Sequence, residues 1–412
     1  MEGLIKGLIN VALDRIDGGG GDQNERDEER SRSTWAEVVS GDQQPHQNSG
    51  FSAHSDVGHT QQEAYGRTGG SEHSRGSRAK TRYGQEGDDE SNDGWETVPK
   101  RSSKLHHQVH KDQWDNYKRP LDEQDYSGGV DCSVDVEPSQ DELADLSMAL
   151  QKLWELDSNR LVPGKDYQID CGEGKKVYQS GDMTEGSLFS WLSEETFKRP
   201  TFSRFCSLLD NYNPHEGYKE DITPQEKQEQ AAFIEEISRT GPIKYLHKYL
   251  SAKGVAPENY QDFKRMLTSL WFDLYGRGGT SGSSSAFEHV FVGEIKQRGE
   301  QEVSGFHNWI QFYLEEAKGR VDYQGYIFPR RRGQLPDSET QLLTIQFEWN
   351  GVLKSVSSTL VGVSPEFEVA IYTLCFYLGG EDNHVELGPY LVNIKCYRLG
   401  NRIGSVFPIA DC

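Results

Sequence analysis

The chain has 412 residues, with 66 acidic against 44 basic side chains and a formal net charge of −22. That length admits two or three domains, and that acidity excludes a general nucleic-acid coat protein, so any RNA substrate needs a locally basic site. No apolar run approaches the length of a membrane-spanning helix. The 6 cysteines lack metal-ligand spacing, and the expectation is reduced thiols in an intracellular protein.

Residues 1–16 place Leu4, Ile5, Leu8, Ile9, Ala12, Leu13 and Ile16 at helical spacing, a short amphipathic helix candidate. Lys6 interrupts the apolar run, so it does not read as a secretory leader, and the expected location is cytoplasmic or nuclear. From 17 to 138 the composition turns to Gly, Ser, Asp, Glu, Gln, Arg and His. Too few apolar groups are present to offset conformational entropy, and this acidic, polar tail is expected to be disordered. Trp35 and Trp95 head two W-x-x-V islands, docking motifs for a protein partner or coincidence. The basic run 75–82 is either a weak RNA contact or a solvated linker.

An ordered region is expected from about 139 onward. Leu143, Leu146, Leu150, Leu153 and Trp154 predict a helix. Residues 185–276 read as mostly helical, with segments at 189–192, 201–209, 224–238, 243–252 and 260–274. Gly276 to Ser285 reads as a glycine- and serine-rich hinge without a P-loop lysine. After about 320 the chain becomes strand-rich, with strands predicted at 323–327, 342–349, 352–357, 368–378 and 391–397. Asn350-Gly351 is a two-residue hairpin signal. A helical half of about 139–280 followed by a strand-rich half of about 281–412 predicts an α+β fold.

Two histidines stand out at the junction of these halves. Read as a strand, 287–292 puts His289 on the side of Phe287 and Phe291, with Glu288 on the opposite face. Ser304 reads as a helix N-cap followed by Phe306, Trp309, Ile310 and Tyr313, which places His307 in a first helical turn. There the helix dipole favours an anion such as phosphate and disfavours imidazolium. Two such histidines suit acid–base chemistry near neutral pH, although spacing alone equally fits ordinary polar residues.

The string Phe287-Glu288-His289-Val290-Phe291-Val292-Gly293-Glu294, followed by Ser304-Gly305-Phe306-His307-Asn308-Trp309-Ile310-Gln311, resembles the signature of the EndoU endoribonucleases. Leu153-Trp154 running into Asp157-Ser158-Asn159-Arg160-Leu161 and Gly164-Lys165-Asp166-Tyr167 is similar to the opening of that family's catalytic region. The resemblance covers about 140–412, and it implies an endoribonuclease that cuts single-stranded, uridine-rich RNA. Lys354, 47 positions past His307, matches the family's catalytic lysine.

The chemistry so implied is attack of a 2′-hydroxyl on the adjacent phosphorus, leaving a 2′,3′-cyclic phosphate. One histidine takes the proton, the other gives one to the leaving oxygen, and Lys354 meets the charge that grows on the phosphoryl oxygens. Which histidine takes which part stays open. Glu288 and Glu294 match supporting acidic residues, and the resemblance implies Mn²⁺ as an activator with its site unknown. Ser358, Ser405 and Phe407 match substrate-binding positions, where Phe407 replaces the usual tyrosine and loses its hydroxyl. Arg330, Arg331 and Arg332, with Lys318 and Arg320, form a candidate backbone-binding patch or a solvated loop. A protein that binds RNA or scaffolds partners on the same fold is the alternative; the intact His289, His307 and Lys354 argue for the enzyme.

Overall fold

The computed structural model describes residues 136–410 except 177, 178, 180, 298, 300 and 329–340. The helix candidate at 1–16, almost all of the polar tail and the Arg330–Arg332 trio lie outside the described residues.

The helical half opens with α1 (Gln140–Ala144) and α2 (Leu146–Leu156). The sequence predicts one helix here, but Asp145 is extended and its side chain caps α2 through the Ser147 N–H, which breaks the run. The first strands follow as the antiparallel pair β1 (Tyr167–Ile169) and β2 (Phe189–Leu192). The expected helical segment at 189–192 is therefore strand β2; four residues are too few to show a period, and the Phe189 and Leu192 side chains are both buried. Helices α3 (Pro200–Cys206), α4 (Pro224–Ile237), α5 (Gly241–Ala252) and α6 (Tyr260–Phe272) then build the helical core. Proline at the first turn of α3, α4 and α5 sets where each begins. The glycine-rich stretch expected to be a hinge is a hairpin, β3 (Tyr275–Arg277) and β4 (Thr280–Ser284), with Gly278 and Gly279 at positive φ in its turn.

The second half carries β5 (Glu294–Ile295) and β6 (Val303–Ser304), then α7 (Trp309–Ala317) and β7 (Val321–Tyr326). Strands β8 (Leu342–Trp349) and β9 (Val352–Leu360) join β7 in a three-stranded antiparallel sheet ordered β7-β8-β9. Asn350 and Gly351 both take positive φ, 51° and 78°, and make the tight turn that pairs Trp349 with Val352. A second sheet, β10 (Asp382–Leu387), β11 (Tyr390–Leu399) and β12 (Arg402–Ala410), is antiparallel in the same order. Strand β12 packs against β8 and β9, bringing the two sheets together. Between them runs α8 (Pro365–Leu378), which the sequence predicts as a strand over 368–378. Ser364 caps α8 through the Phe367 N–H, and Pro365 starts it. The helix is buried from Pro365 through Phe376, so its sequence is apolar all round and shows no helical period.

The mixed α+β class holds, with helices preceding most of the strands. Among the described residues no helix is long and apolar enough to cross a membrane.

Candidate active site

His289 does not lie on a strand. The chain at Glu288–Val292 is a π-helical turn, with the Glu288 N–H held by Ser285 Oγ (3.1 Å) and the Gly293 N–H donating to Glu288 O (2.8 Å). All five of its residues are buried, so the alternation in the sequence does not distinguish two faces. Gly293, at φ 92°, ends the turn and releases the chain into β5, which starts at Glu294. Glu294 therefore returns beside His289: its Oε2 accepts a hydrogen bond from His289 Nδ1 at 2.7 Å. The guanidinium of Arg277 lies 3.3 Å from the same oxygen and donates to Tyr275 Oη (3.1 Å) and to the Gly404 carbonyl (2.6 Å). Arg277 thus ties the carboxylate behind His289 to the first residues of β12.

His307 lies just outside a helix rather than in its first turn. Gly305 and Phe306 both have positive φ, 63° and 61°, which no first helical turn accommodates. The helix begins at Trp309, and Asn308 caps it through the Gln311 N–H (2.9 Å). Ser304, the expected cap, lies on β6 and pairs with Glu294 of β5. Instead of a helix dipole, His307 meets the partner segment: its N–H donates to Val290 O (2.9 Å), and the preceding Phe306 N–H donates to His289 O (3.1 Å). Two adjacent backbone hydrogen bonds therefore fix one histidine segment against the other.

The remaining walls come from the two sheets. Lys354, on β9 opposite Phe347, donates to Val303 O at 3.0 Å. Ser357 Oγ donates to Phe306 O (3.0 Å) and lies 3.4 Å from His307 Nδ1. Phe407, on β12, stacks flat on His307 with ring centroids 4.4 Å apart and an interplanar angle of 21°. Burial comes first in holding the His307 pKa well below the ordinary histidine value; the Lys354 ammonium and then His289 push it the same way, against a backbone hydrogen bond with Ser358. Burial also raises the Glu288 carboxyl far above the carboxylate range, aided by Glu294 and Glu220. Burial thus favours the neutral form of Glu288, while Glu294 Oε2 accepts from His289 Nδ1 and is ion-paired with Arg277.

The structure brings His289, His307, Lys354, Glu294 and Phe407 into one place. Ser358 is buried one residue past Ser357, with its hydroxyl on Thr344 Oγ1 (2.9 Å), and Ser405 sits half-buried on β12 opposite Tyr397. Phe407 is buried with one face against His307, so it is a wall of the site rather than an exposed ring. Glu288 lies on the π-helical turn and Glu294 on β5, both buried. Lys318 and Arg320 pair with Glu315 at the end of α7, at 3.1 Å for Lys318 Nζ and 2.7 Å for Arg320 Nε, and so form an ion-pair cluster. Arg277 and Ser357 are missed by sequence reasoning. A lone arginine inside a glycine-rich hairpin and a serine between other serines carry no periodic signal.

Two buried histidines and a lysine, held by a carboxylate and an aromatic wall on an α+β frame, have the make-up of a phosphodiester-cleaving site without a nucleophilic side chain. The chain belongs to the Endoribonuclease XendoU family, whose model matches residues 145–408. It is similar to uridylate-specific endoribonuclease B of Danio rerio, 43% identical over 273 residues that span 64% of this chain and 95% of that one. Poly(U)-specific endoribonuclease-A of Xenopus laevis is 42% identical over 276 residues, 64% of this chain and 93% of its own. The solved structure of XendoU, titled a splicing-independent snoRNA-processing endoribonuclease, superposes with a TM-score of 0.57 at 38% identity, covering 67% of this chain and 99% of that one. The chain is an endoribonuclease.

Proposed function

We propose that this endoribonuclease cuts single-stranded RNA at uridylates by transesterification, with His289, His307 and Lys354 as its catalytic residues. The observation that carries this reading is the pair of adjacent backbone hydrogen bonds that fixes the His289 and His307 segments together. His307, with its lowered pKa, is neutral near pH 7 and takes the 2′-hydroxyl proton. The 2′-oxygen forms its bond to phosphorus as the bond from phosphorus to the 5′-oxygen breaks. His289 donates a proton to that 5′-oxygen, and Glu294 is the counter-charge for its doubly protonated ring. Lys354 stabilises the negative charge on the non-bridging oxygens. The products are a 2′,3′-cyclic phosphate and a 5′-hydroxyl.

Uridylate preference is supported by the names of the Danio rerio and Xenopus laevis relatives. Within this reading Ser405 contacts the base, and Ser358 and Phe407 hold the wall behind it. Residues 139–412 form the catalytic domain, supported by the extent of the family match over 145–408. A cytoplasmic or nuclear setting is supported by Cys171, Cys206, Cys375 and Cys396, which are buried free thiols.

The sequence resemblance implies Mn²⁺ as an activator without giving its site, and Glu288 and Glu294 are the supporting acidic residues that it matches. These residues do not fit a bound dication: Glu288 is raised toward its neutral form, and Arg277 already neutralises Glu294. Among the described residues no group of three or more His, Cys, Asp or Glu is arranged to hold a metal. Stimulation by Mn²⁺ is read by titrating it against EDTA.

The test of preference is cleavage of four otherwise identical oligonucleotides carrying one U, C, A or G at the centre of an all-deoxy strand. Faster cutting of the uridine strand is the expected result, and equal cutting of all four overturns the preference.

A further inference from the structure

One loop beside the site has no part in the chemistry above. Residues 213–220 cross over β5, where Ile295 donates its N–H to Pro214 O (2.7 Å) and accepts at its carbonyl from the Glu216 N–H (3.0 Å). Ile295 directly follows Glu294, the carboxylate that holds His289. The loop is closed on itself and on the neighbouring hairpin. The Asn213 N–H donates to Glu220 Oε1 (3.3 Å), and the Glu220 N–H donates to Gly282 O on β4 (3.0 Å). Gly217, at φ 86°, lies against Gly278 of the β3–β4 turn, where an added methyl on Gly278 would meet Gly217 Cα at 3.3 Å. Backbone so tightly fitted makes a preorganised surface.

That surface presents an aromatic ring to solvent. Tyr218 is 56% exposed, against 42% for Trp191, the other large aromatic exposed among the described residues. A ring left in water on a loop built this tightly does nothing for the core. The exposed His215 ring lies 6.1 Å from it, centroid to centroid. Gln297 Nε2 donates to His215 Nδ1 (2.8 Å) and to Ile295 O (3.2 Å), which assigns the imidazole proton to Nε2, a donor for phosphate or a base edge. The exposed Lys219 adds positive charge next to the ring. An exposed ring, a fixed donor and an ammonium on a rigid loop are the elements by which single-stranded nucleic acid is held without sequence preference.

We propose that the 213–220 loop is a second RNA subsite, in which Tyr218 stacks on the base of a nucleotide flanking the cleaved one and His215 and Lys219 meet its backbone. This rests on the reading of the chain as a single-strand endoribonuclease with its centre at His289 and His307. The subsite lengthens the recognised strand and adds affinity for longer substrates over a dinucleotide.

Two measurements on the full chain test it. The first is binding of a non-cleavable heptanucleotide with a central 2′-deoxyuridine, by fluorescence anisotropy, for the wild type, Tyr218→Ala and Tyr218→Trp. Stacking on an aromatic predicts about a tenfold rise in Kd for Tyr218→Ala and wild-type affinity for Tyr218→Trp. Equal Kd for wild type and Tyr218→Ala, or a loss in Tyr218→Trp as large as in Tyr218→Ala, overturns the subsite. The second is the ratio of kcat/KM for the ribouridine heptanucleotide to that for uridylyl-adenosine. Tyr218→Ala lowers this ratio through KM if the subsite exists, and leaves it at the wild-type value if it does not. A wild type that cuts neither substrate fails the catalytic reading, and the binding measurement still decides the subsite.

Discussion

The α-carbon of Gly305 faces the carbonyl oxygen of His289 so closely that a methyl group there would collide with it. This approach is what allows the next two amides, of Phe306 and His307, to reach the carbonyls of His289 and Val290. It also needs φ of 63° at Gly305, which side-chain-bearing residues rarely adopt. Gly305→Ala is therefore expected to separate the two histidine segments. Denaturant unfolding should show a loss of about 3–5 kcal/mol, in the range of severe single substitutions, and cleavage should fall with it.

Glu294 is fully buried and accepts from His289 Nδ1, the place of a residue that positions the ring. Glu294→Gln keeps the shape but removes the counter-charge for the imidazolium and weakens the pair with Arg277. The expected result is a fall in kcat of about a hundredfold or more with KM little changed, as when the carboxylate behind a catalytic histidine is replaced by its amide. Steady-state kinetics on a single-uridine oligonucleotide reads this directly. A change confined to KM would remove Glu294 from the acid's support.

His307 should titrate below the ordinary histidine range, because burial, Lys354 and His289 each disfavour its charged form. A base works when deprotonated, so kcat should climb with pH through the lowered pKa, with its acid limb below pH 6.5. Lys354→Met removes one of the two charges acting on the ring. The His307 pKa in that variant, followed by NMR of the imidazole, is expected to rise toward the ordinary value even though cleavage is lost.

How far these features can be read from sequence depends on burial. The hairpin at Asn350-Gly351 and strand β8 fall where predicted, because turn chemistry is local and a run of Leu, Thr, Ile, Phe and Trp ending at that turn favours a strand even where it is buried almost throughout. Helix α8 is predicted as strand 368–378, because burial on every side replaces helical periodicity with a run of Val, Ile, Tyr and Phe. The same loss of pattern hides the π-helical turn that carries His289. The residues His289, His307 and Lys354 are legible through the resemblance of their motifs. The support of His289 by Glu294 is local, five positions along the chain, but the contacts of Ser357 and Phe407 with His307 join segments far apart, which no local spacing encodes.

The buried carboxyls of α8 predict a pH dependence of stability. Burial pushes Glu368 up to about 8 from 4.5, against hydrogen bonds from Asn308 (2.6 Å) and Tyr372 (3.1 Å). A carboxyl raised on folding binds more protons in the native state, so its contribution is complete below 4.5 and is lost as pH rises through about 8. Asp157, raised to about 6, and Glu366, raised to about 7, act in the same direction. Glu368→Gln cannot ionise, and the fall in Tm between pH 5 and 8.5 is expected to be smaller by roughly 4 °C. Parallel Tm curves for the wild type and the variant would show that Glu368 does not titrate in this window.

The stack of Phe407 on His307 predicts a separate loss. Phe407→Ala leaves the imidazole without the wall that holds its plane, and kcat is expected to drop about tenfold, in line with the cost of misplacing a catalytic group. Phe407→Tyr keeps the stacked ring and should retain most of the rate. Equal rates for the wild type and Phe407→Ala would remove the stack from the catalytic arrangement.

In the proposed reaction two histidines drive attack by the RNA's own 2′-hydroxyl, and the chemical identity of the cut end reports on that attack. A single-uridine oligonucleotide and its 2′-deoxyuridine counterpart would be incubated with the protein and with His307→Ala, and the products identified by mass spectrometry. The expected results are a 2′,3′-cyclic phosphate end from the ribo-substrate, an intact deoxy-strand, and no cyclic product from His307→Ala. Cleavage of the deoxy-strand, or a linear phosphate formed without a cyclic precursor, would contradict the proposed reaction.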